Sequence, residues 1–295
     1  MTAGGGRVGD YVRALRPHQA AKNVLVFAPL VAGHVVGAAA IAQTVAVFMG
    51  LSLCAFGSYL INDILDRPYD RKHPTKRHRP IASGRVPVAG AGLLAAGLIG
   101  GGLAIAAFVG QQALLLVVAY LALSAAYSLI LKRKTFIDVV TLACLYTVRV
   151  LIGSAAAEIP VSQWFIIFSI FFFMALAIIK RQREIARVDD AGHKQADGRN
   201  YFAEDRAVLS ALAAASGFAA VVVFALYLSS AEVAASYSRP ELLWGLCPVI
   251  IYWLGRMLLL ANRGHIHDDP VVFALTDRVS LATGALFMAI VIWAV

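Results

Sequence analysis

Nine stretches of this chain are apolar for about the 20 residues that a helix needs to cross the hydrocarbon core of a bilayer: 22–38, 41–61, 87–109, 112–131, 136–156, 162–180, 207–230, 240–261 and 272–294. Lipid offers no hydrogen bonds, so runs of this length must satisfy their own backbone as helices. Composition agrees, with 60% hydrophobic and 15% charged residues, against about 25% charged in a soluble domain. The expectation is an all-α polytopic membrane protein, a nine-helix transmembrane bundle forming a single domain over 1–295 with a flexible N-terminus at 1–15. The segment Arg7–Lys22 is too polar for the apolar core of a cleavable signal peptide.

The basic residues divide the loops into two classes. Arg7, Arg13, Arg16 and Lys22 precede or open the first run, and Arg67, Arg71, Lys72, Lys76, Arg77, Arg79 and Arg85 lie between the second and third. Lys132, Arg133 and Lys134 follow the fourth, more follow the sixth from Lys180 to Arg206, and Arg256, Arg263 and Arg278 surround the last of these loops. The loops of the other class contain Arg239 alone. Positive charge stays on the cytoplasmic side, which places the N-terminus and a polar cavity mouth in the cytoplasm and the C-terminus outside the cell (inner) membrane. Basic loops against anionic lipid headgroups account for the net charge of +9. No nucleic-acid module or aromatic-interleaved basic patch is present.

At the end of the second run stands Asn62-Asp63-Ile64-Leu65-Asp66-Arg67-Pro68-Tyr69-Asp70, followed at once by a block of cations. On a continued helix Asp63, Asp66 and Asp70 fall at about 0°, 300° and 340°, on one face. A few carboxylates with positions left over suit Mg²⁺, which is usually completed by waters and substrate phosphates. Pro68 clashes with the carbonyl of residue 64 and disfavours helical geometry at Arg67, which puts Asp70 just past the helix end. In a soluble protein such a charge run reads first as a solvated helix end; a membrane setting favours the metal reading.

Other polar groups sit at the same ends of the apolar runs. Lys22, after Pro17, is either a snorkelling interfacial lysine or an anion contact. Arg149 lies deep in the fifth run, three residues after Tyr146, where an arginine normally faces an interior cavity with a partner. Lys180, Glu184 and Arg187 fall at about 0°, 40° and 340° on a helix, ahead of a polar loop at 188–200 and Tyr201. Asp277 and Arg278 lie one turn into the ninth run. His265, His267, Asp268 and Asp269 crowd one loop without metal-finger spacing, and Cys54, Cys144 and Cys247 are apolar-run thiols that read as buried hydrophobes. Acids and bases gathered at one face of a helical bundle suit a site that binds metal-diphosphate at its polar end and a polyprenyl chain at its apolar end.

The nine-residue Asp motif and the nine runs resemble the UbiA-type intramembrane prenyltransferases. Arg16-Pro17-x-Gln19-x-x-Lys22-Asn23, His73-Pro74-x-Lys76-x-x-Arg79-Pro80-Ile81-Ala82-x-Gly84 and Lys180-Arg181-x-x-Glu184 are most similar to the decaprenyl-phosphate phosphoribosyltransferase branch. The second Asp-rich motif of the aromatic prenyltransferases is absent, its place taken by lysine, arginine and glutamate. The resemblance implies Mg²⁺ as cofactor, with phosphoribosyl diphosphate and a polyprenyl phosphate as substrates and pyrophosphate as product, for cell-envelope arabinan precursors. It implies that Asp63 and Asp66 are catalytic and hold the metal with Asp70. Asn62, Lys76, Arg77, Arg79, Lys180, Arg181, Glu184, Tyr201 and Arg278 would bind the substrate, and Lys22 and Arg149 would take the acceptor phosphate or line the cavity. Membrane lipids and a homo-oligomer are the other expected partners, the oligomeric state staying open. The alternatives are prenyl transfer from a prenyl diphosphate to an aromatic acceptor, and a membrane transporter or lipid-binding protein.

Overall fold

The computed structural model describes residues 8–35, 37–73, 75–190, 200–266 and 269–295, and among them there is no β-strand. The chain divides into two compact units, Met1–Ser128 with Arg149–Ile159, and Leu129–Val148 with Pro160–Val295.

The first unit begins with α1 (Val8–Leu15), then a 3₁₀ segment over Pro17–Phe27 that leads into α2 (Ala28–Ala32). Residues 8–15 are therefore helical rather than flexible: Tyr11, Ala14 and Leu15 pack on Leu60, Val86, Ala91 and Ala95, and Arg85 reaches back to Asp10 at 2.9 Å. Two long helices follow, α3 (Ala38–Asp70) and α4 (Val88–Val109), packed on each other, then α5 (Gln111–Leu129). The Gly-rich face of α4 allows the close approach its sequence suggests, since a Cβ on Gly102 would stand 2.4 Å from the Gly50 carbonyl oxygen. The helix α3 also runs through Pro68 to Asp70, correcting the expected break. A proline two residues from a helix end removes a single interior donor, so little helix remains for it to disrupt.

The helix α6 (Ile137–Ala157) contributes to both units, passing from the second to the first between Val148 and Arg149. Within the first unit Gly153 lies against the 3₁₀ segment so closely that a Cβ there would meet Val26 O at 1.8 Å. The second unit adds α7 (Gln163–Asp190), α8 (Arg206–Leu228), α9 (Ala231–Ser236), α10 (Leu246–Asn262), α11 (Pro270–Ala274) and α12 (Arg278–Ala294). Its centre is aromatic, with Phe168 at 5.0 Å from Phe224 and Phe172 stacked on Trp253 at 5.6 Å between ring centroids.

Among the described residues, seven helical segments are long and apolar enough to cross a membrane: α3, α4, α5, α6, Gln163–Ala186 of α7, Ala203–Leu228 and Pro240–Asn262. The protein is an integral membrane protein. The expected first span, 22–38, is instead the tail of the 3₁₀ segment plus α2, because Pro29 restarts the helix and the backbone turns at Gly33 and His34, the latter at φ 50. The expected ninth, 272–294, is split into α11 and the 17-residue α12. Asp277 makes that split: its carboxylate accepts the Ser280 N–H at 2.8 Å as the N-cap of α12, which puts Asp277 and Arg278 at the helix start rather than a turn inside. The polar loop expected at 188–200 starts later, because α7 continues to Asp190; residues 191–199, His267 and Asp268, the first seven residues and the side chain of Arg187 lie outside what is described.

Candidate active site

Along α3 the unbroken helix keeps Asp63, Asp66 and Asp70 in the expected register. Asp63 and Asp70 are buried, while Asn62 and Asp66 are half-buried. Arg16 donates from Nη2 to Asp63 Oδ1 at 2.5 Å. Arg79 donates from Nη1 to Asp70 Oδ2 at 2.7 Å and, more weakly, to Asp63 Oδ1 at 3.4 Å. Arg16 does so from a left-handed backbone, φ 55 and ψ 60, at the entrance of the 3₁₀ segment. A non-glycine residue held there costs on the order of 1 kcal/mol, so the surrounding contacts must enforce it.

Arg149 has its partner within the first unit. Its Nε donates to Asn23 Oδ1 at 3.0 Å and its Nη2 to the Tyr120 hydroxyl at 3.0 Å, with the guanidinium 4.8 Å from the Tyr120 ring centroid. Asn23 in turn donates to Ser52 Oγ at 3.0 Å. Asn23 and Tyr120 thus present neutral oxygens to this buried guanidinium. Lys22, next to Asn23, is buried as well.

In the second unit two neighbouring cations of α7, Lys180 and Arg181, are held in ion pairs. Lys180 Nζ lies 2.8 Å from Asp269 Oδ2. The same carboxylate accepts the Tyr146 hydroxyl at 3.1 and 3.3 Å and the Val271 N–H at 3.1 Å, as the N-cap of α11. One residue on, Arg181 Nη2 lies 2.6 Å from Asp138 Oδ2, and its other terminal nitrogen pairs with Glu184. Tyr201 closes this pair off: it donates to Asp138 Oδ1 at 2.6 Å, accepts the Phe136 N–H at 2.8 Å and lays its ring 5.6 Å from the Arg181 guanidinium. Burial, then the bond to Asp138, pushes the Tyr201 phenol above its ordinary range, so it stays a donor. Arg183 ties α7 to the end of α10, donating to the carbonyls of Ile266 at 3.1 Å and Gly264 at 2.9 Å.

The residues singled out from sequence therefore fall into three groups. Asp63, Asp70 and Arg79 form one charged cluster, and Asp66 and Asn62 share its helix. Lys180, Arg181, Glu184 and Tyr201 occupy neighbouring positions in the second unit. Lys76, Arg77 and Arg278 are exposed and belong to neither ion-pair cluster, and Asp277 pairs with Arg256 at 2.6 Å instead of with Arg278. Sequence reasoning passed over Arg16, Asp138 and Asp269. Arg16 stands in the Arg16-Pro17 motif, and Asp269 lies in a His- and Asp-rich loop whose composition points first to metal binding.

Among the described residues no three carboxylate, imidazole or thiol groups converge to cage a metal. Asp63, Asp66 and Asp70 form a row on one helix, with Asp63 Oδ2 and Asp70 Oδ1 outside the arginine pairs. Hard oxygen donors in an open row fit Mg²⁺, which takes one or two carboxylates and completes its shell with water and phosphate.

Residues 24–276 match the UbiA prenyltransferase family. The chain is 36% identical over 281 residues to an uncharacterised protein, y4nM, of Sinorhizobium fredii, covering 95% of this chain but 54% of that one, so it spans about half of that relative's length. It is 34% identical to nodulation protein NoeC of Azorhizobium caulinodans, over 92% of this chain and 88% of that one. To decaprenyl-phosphate phosphoribosyltransferase of Mycolicibacterium smegmatis it is 32% identical, again over 92% and 88%. A UbiA homolog from Archaeoglobus fulgidus bound to GPP and Mg²⁺ shares the fold at a TM-score of 0.72 and 17% identity, covering 97% of this chain and 99% of that one. The match over most of the chain, on an all-helical scaffold with an Asp row along one helix, establishes that this chain belongs to the UbiA prenyltransferase family.

Proposed function

We propose that this protein transfers the 5-phosphoribosyl group of phosphoribosyl diphosphate to a polyprenyl phosphate of the decaprenyl type, releasing pyrophosphate, for arabinan precursors of the cell envelope. The observation that carries this reading is the similarity, along 92% of this chain, to a decaprenyl-phosphate phosphoribosyltransferase. A topology of nine crossings, in which the 3₁₀ segment with α2 and α11 with α12 supply the first and last, belongs to the same proposal, with the N-terminus and polar site cytoplasmic and the C-terminus outside the inner membrane.

In this reading Asp63, Asp66 and Asp70 hold Mg²⁺, which when bound neutralises charge on the leaving diphosphate. Asn62 orients the donor by hydrogen bonds. Arg16 and Arg79 already stand beside the carboxylates and turn their remaining N–H donors to phosphate oxygens, a match of planar fork to tetrahedral anion. Lys180 supplies a point charge to the leaving diphosphate, and Lys76, Arg77 and Arg278 add to the field that draws anions in. Lys22 and Arg149 serve the acceptor phosphate, both standing buried beside Asn23 in the first unit. Arg181, Glu184 and Tyr201 act on Lys180 by fixing α7. An acceptor phosphate oxygen attacks the anomeric carbon, and the bond from that carbon to the diphosphate oxygen breaks with its electron pair leaving on pyrophosphate. The nucleophile is already an anion, so orientation and charge neutralisation carry the rate without a general base.

The test uses purified protein in detergent with Mg²⁺, a polyprenyl monophosphate and radiolabelled phosphoribosyl diphosphate. Label in the organic phase, lost on adding chelator, is the expected result. Transfer of a prenyl chain from a prenyl diphosphate to an aromatic acceptor, with no label in lipid, would replace this reading with the prenyltransferase one. That alternative draws on the structural relative bound to GPP.

A further inference from the structure

We infer that Asp269 is a positioning residue that acts through Lys180, and that together with Tyr146 it forms a preset mount for the one α7 ammonium that reaches toward anionic ligands. The inference rests on the proposed function only for naming Lys180 as a phosphate contact.

The geometry starts from the carboxylate. Asp269 is buried, and its two oxygens accept four contacts from three directions: Tyr146 of α6 on both, Val271 N–H of α11 on Oδ1 and Lys180 of α7 on Oδ2. A carboxylate offers about four acceptor sites, and three donor groups of the protein occupy most of them, so this one is turned inward rather than toward substrate. Its orientation is over-determined, first by the cap on α11 and then by a tyrosine that is itself stacked on Phe173 at 5.1 Å between centroids. Lysine is otherwise a flexible four-carbon chain that loses up to about 2 kcal/mol of rotamer entropy when fixed. Anchoring one of its three N–H donors to a rigid acceptor takes that loss before ligand arrives, which is preorganisation. The neighbouring Arg181 has its own, separate mount of Asp138 and Glu184. The second unit thus places two cations side by side on α7 and fixes each with a different carboxylate.

A merely structural Asp269 would change stability without touching the ligand. A positioning Asp269 loses its effect when Lys180 is gone. The experiment is therefore a double-mutant cycle read by equilibrium binding of inorganic pyrophosphate with Mg²⁺ to the full chain in detergent, pyrophosphate being the common product of both transfers considered above. Lys180→Ala and Asp269→Asn are each expected to weaken pyrophosphate by about tenfold, and the double variant by about the same tenfold rather than a hundredfold. In turnover, Asp269→Asn raises KM for the donor while kcat stays within about twofold, the pattern of lost uniform binding. Additive losses, or an Asp269→Asn variant that binds as wild type, would overturn the inference, as would a Lys180→Ala variant with unchanged affinity. If Asp269→Asn does not fold, Tyr146→Phe, which keeps the ring stack and removes the hydroxyl, replaces it in the cycle under the same criterion. A wild-type protein that transfers prenyl instead of phosphoribosyl groups would sink the proposed function, while the binding cycle still decides the inference.

Discussion

Four of the ion pairs among the described residues show two ways of building such a contact. In three of them the carboxylate is inside and the cation reaches out: Arg16 with Asp63 at 27% and 2% side-chain exposure, Arg79 with Asp70 at 29% and 5%, Lys180 with Asp269 at 30% and 6%. The fourth, Arg181 with Asp138, is closed on both sides, at 0% each. Two open pairs lie in the first unit, and the second unit holds the third next to the closed one. An open pair keeps a cation fixed while leaving it in reach of an anion. A closed pair has already spent the desolvation of both ions and can offer neither to a ligand, so its value is in fixing the helices that carry it. Adjacent residues of α7 thus divide the work, although their sequence, Lys180-Arg181, suggests two equivalent phosphate contacts.

The largest effect should come from opening the closed pair. Arg181→Met strands Asp138 as a buried charge, and about 3–5 kcal/mol of stability should be lost, measured as thermal unfolding in detergent; Arg181→Met with Asp138→Leu should recover most of it. A single variant as stable as wild type would erase the distinction between the two kinds of pair. Next is the open carboxylate. Asp63→Asn should lower kcat by about 10²–10³, the usual scale for losing an electrostatic partner of the reacting group, while stability moves by less than about 1 kcal/mol because Arg16 and Arg79 reach solvent. Activity near wild type in folded protein would remove Asp63 from metal binding.

Arg16→Ala should raise the donor KM by about tenfold and leave folding largely intact; an unchanged KM would confine Arg16 to charge neutralisation of Asp63. The smallest effect concerns Asp277, whose pairing with Arg256 and cap on Ser280 hold its carboxyl down at about 2, below its ordinary value. A group lowered in the folded state stabilises above its unfolded pKa and loses that contribution as pH falls through the folded one. Asp277→Asn should therefore cost about 1 kcal/mol at pH 7, and the gap to wild type should shrink as pH falls below about 4 toward 2. A gap independent of pH would mean that the hydrogen-bonded cap, not the charge, stabilises α12.

Much of this architecture follows from residue order. Apolar runs longer than a bilayer requires can satisfy their backbone only as helices, and seven of the nine expected runs fall in such helices. The i, i+3, i+7 spacing of Asp63, Asp66 and Asp70 puts them on one face wherever the helix continues, so their register was legible. The breaks were not: Pro68 stops less helix than its clash suggests, and the first and ninth runs yield to Pro29 and to the Asp277 cap. These outcomes depend on whether a local cost is met by local contacts, a balance of about 1–3 kcal/mol that hydropathy does not weigh. Partner choice was the least legible. Asp63 meets a residue 47 positions away and Asp269 one that is 89 away, and all 26 arginines and lysines carry the same charge. The sequence by itself determined that this is a helical membrane protein with an acidic row and a cationic α7, because periodicity and hydropathy are local properties, while the family came from the resemblance of its motifs. Only the tertiary structure decided which cations face outward and which are sealed, because burial and pairing arise when distant segments exclude water together.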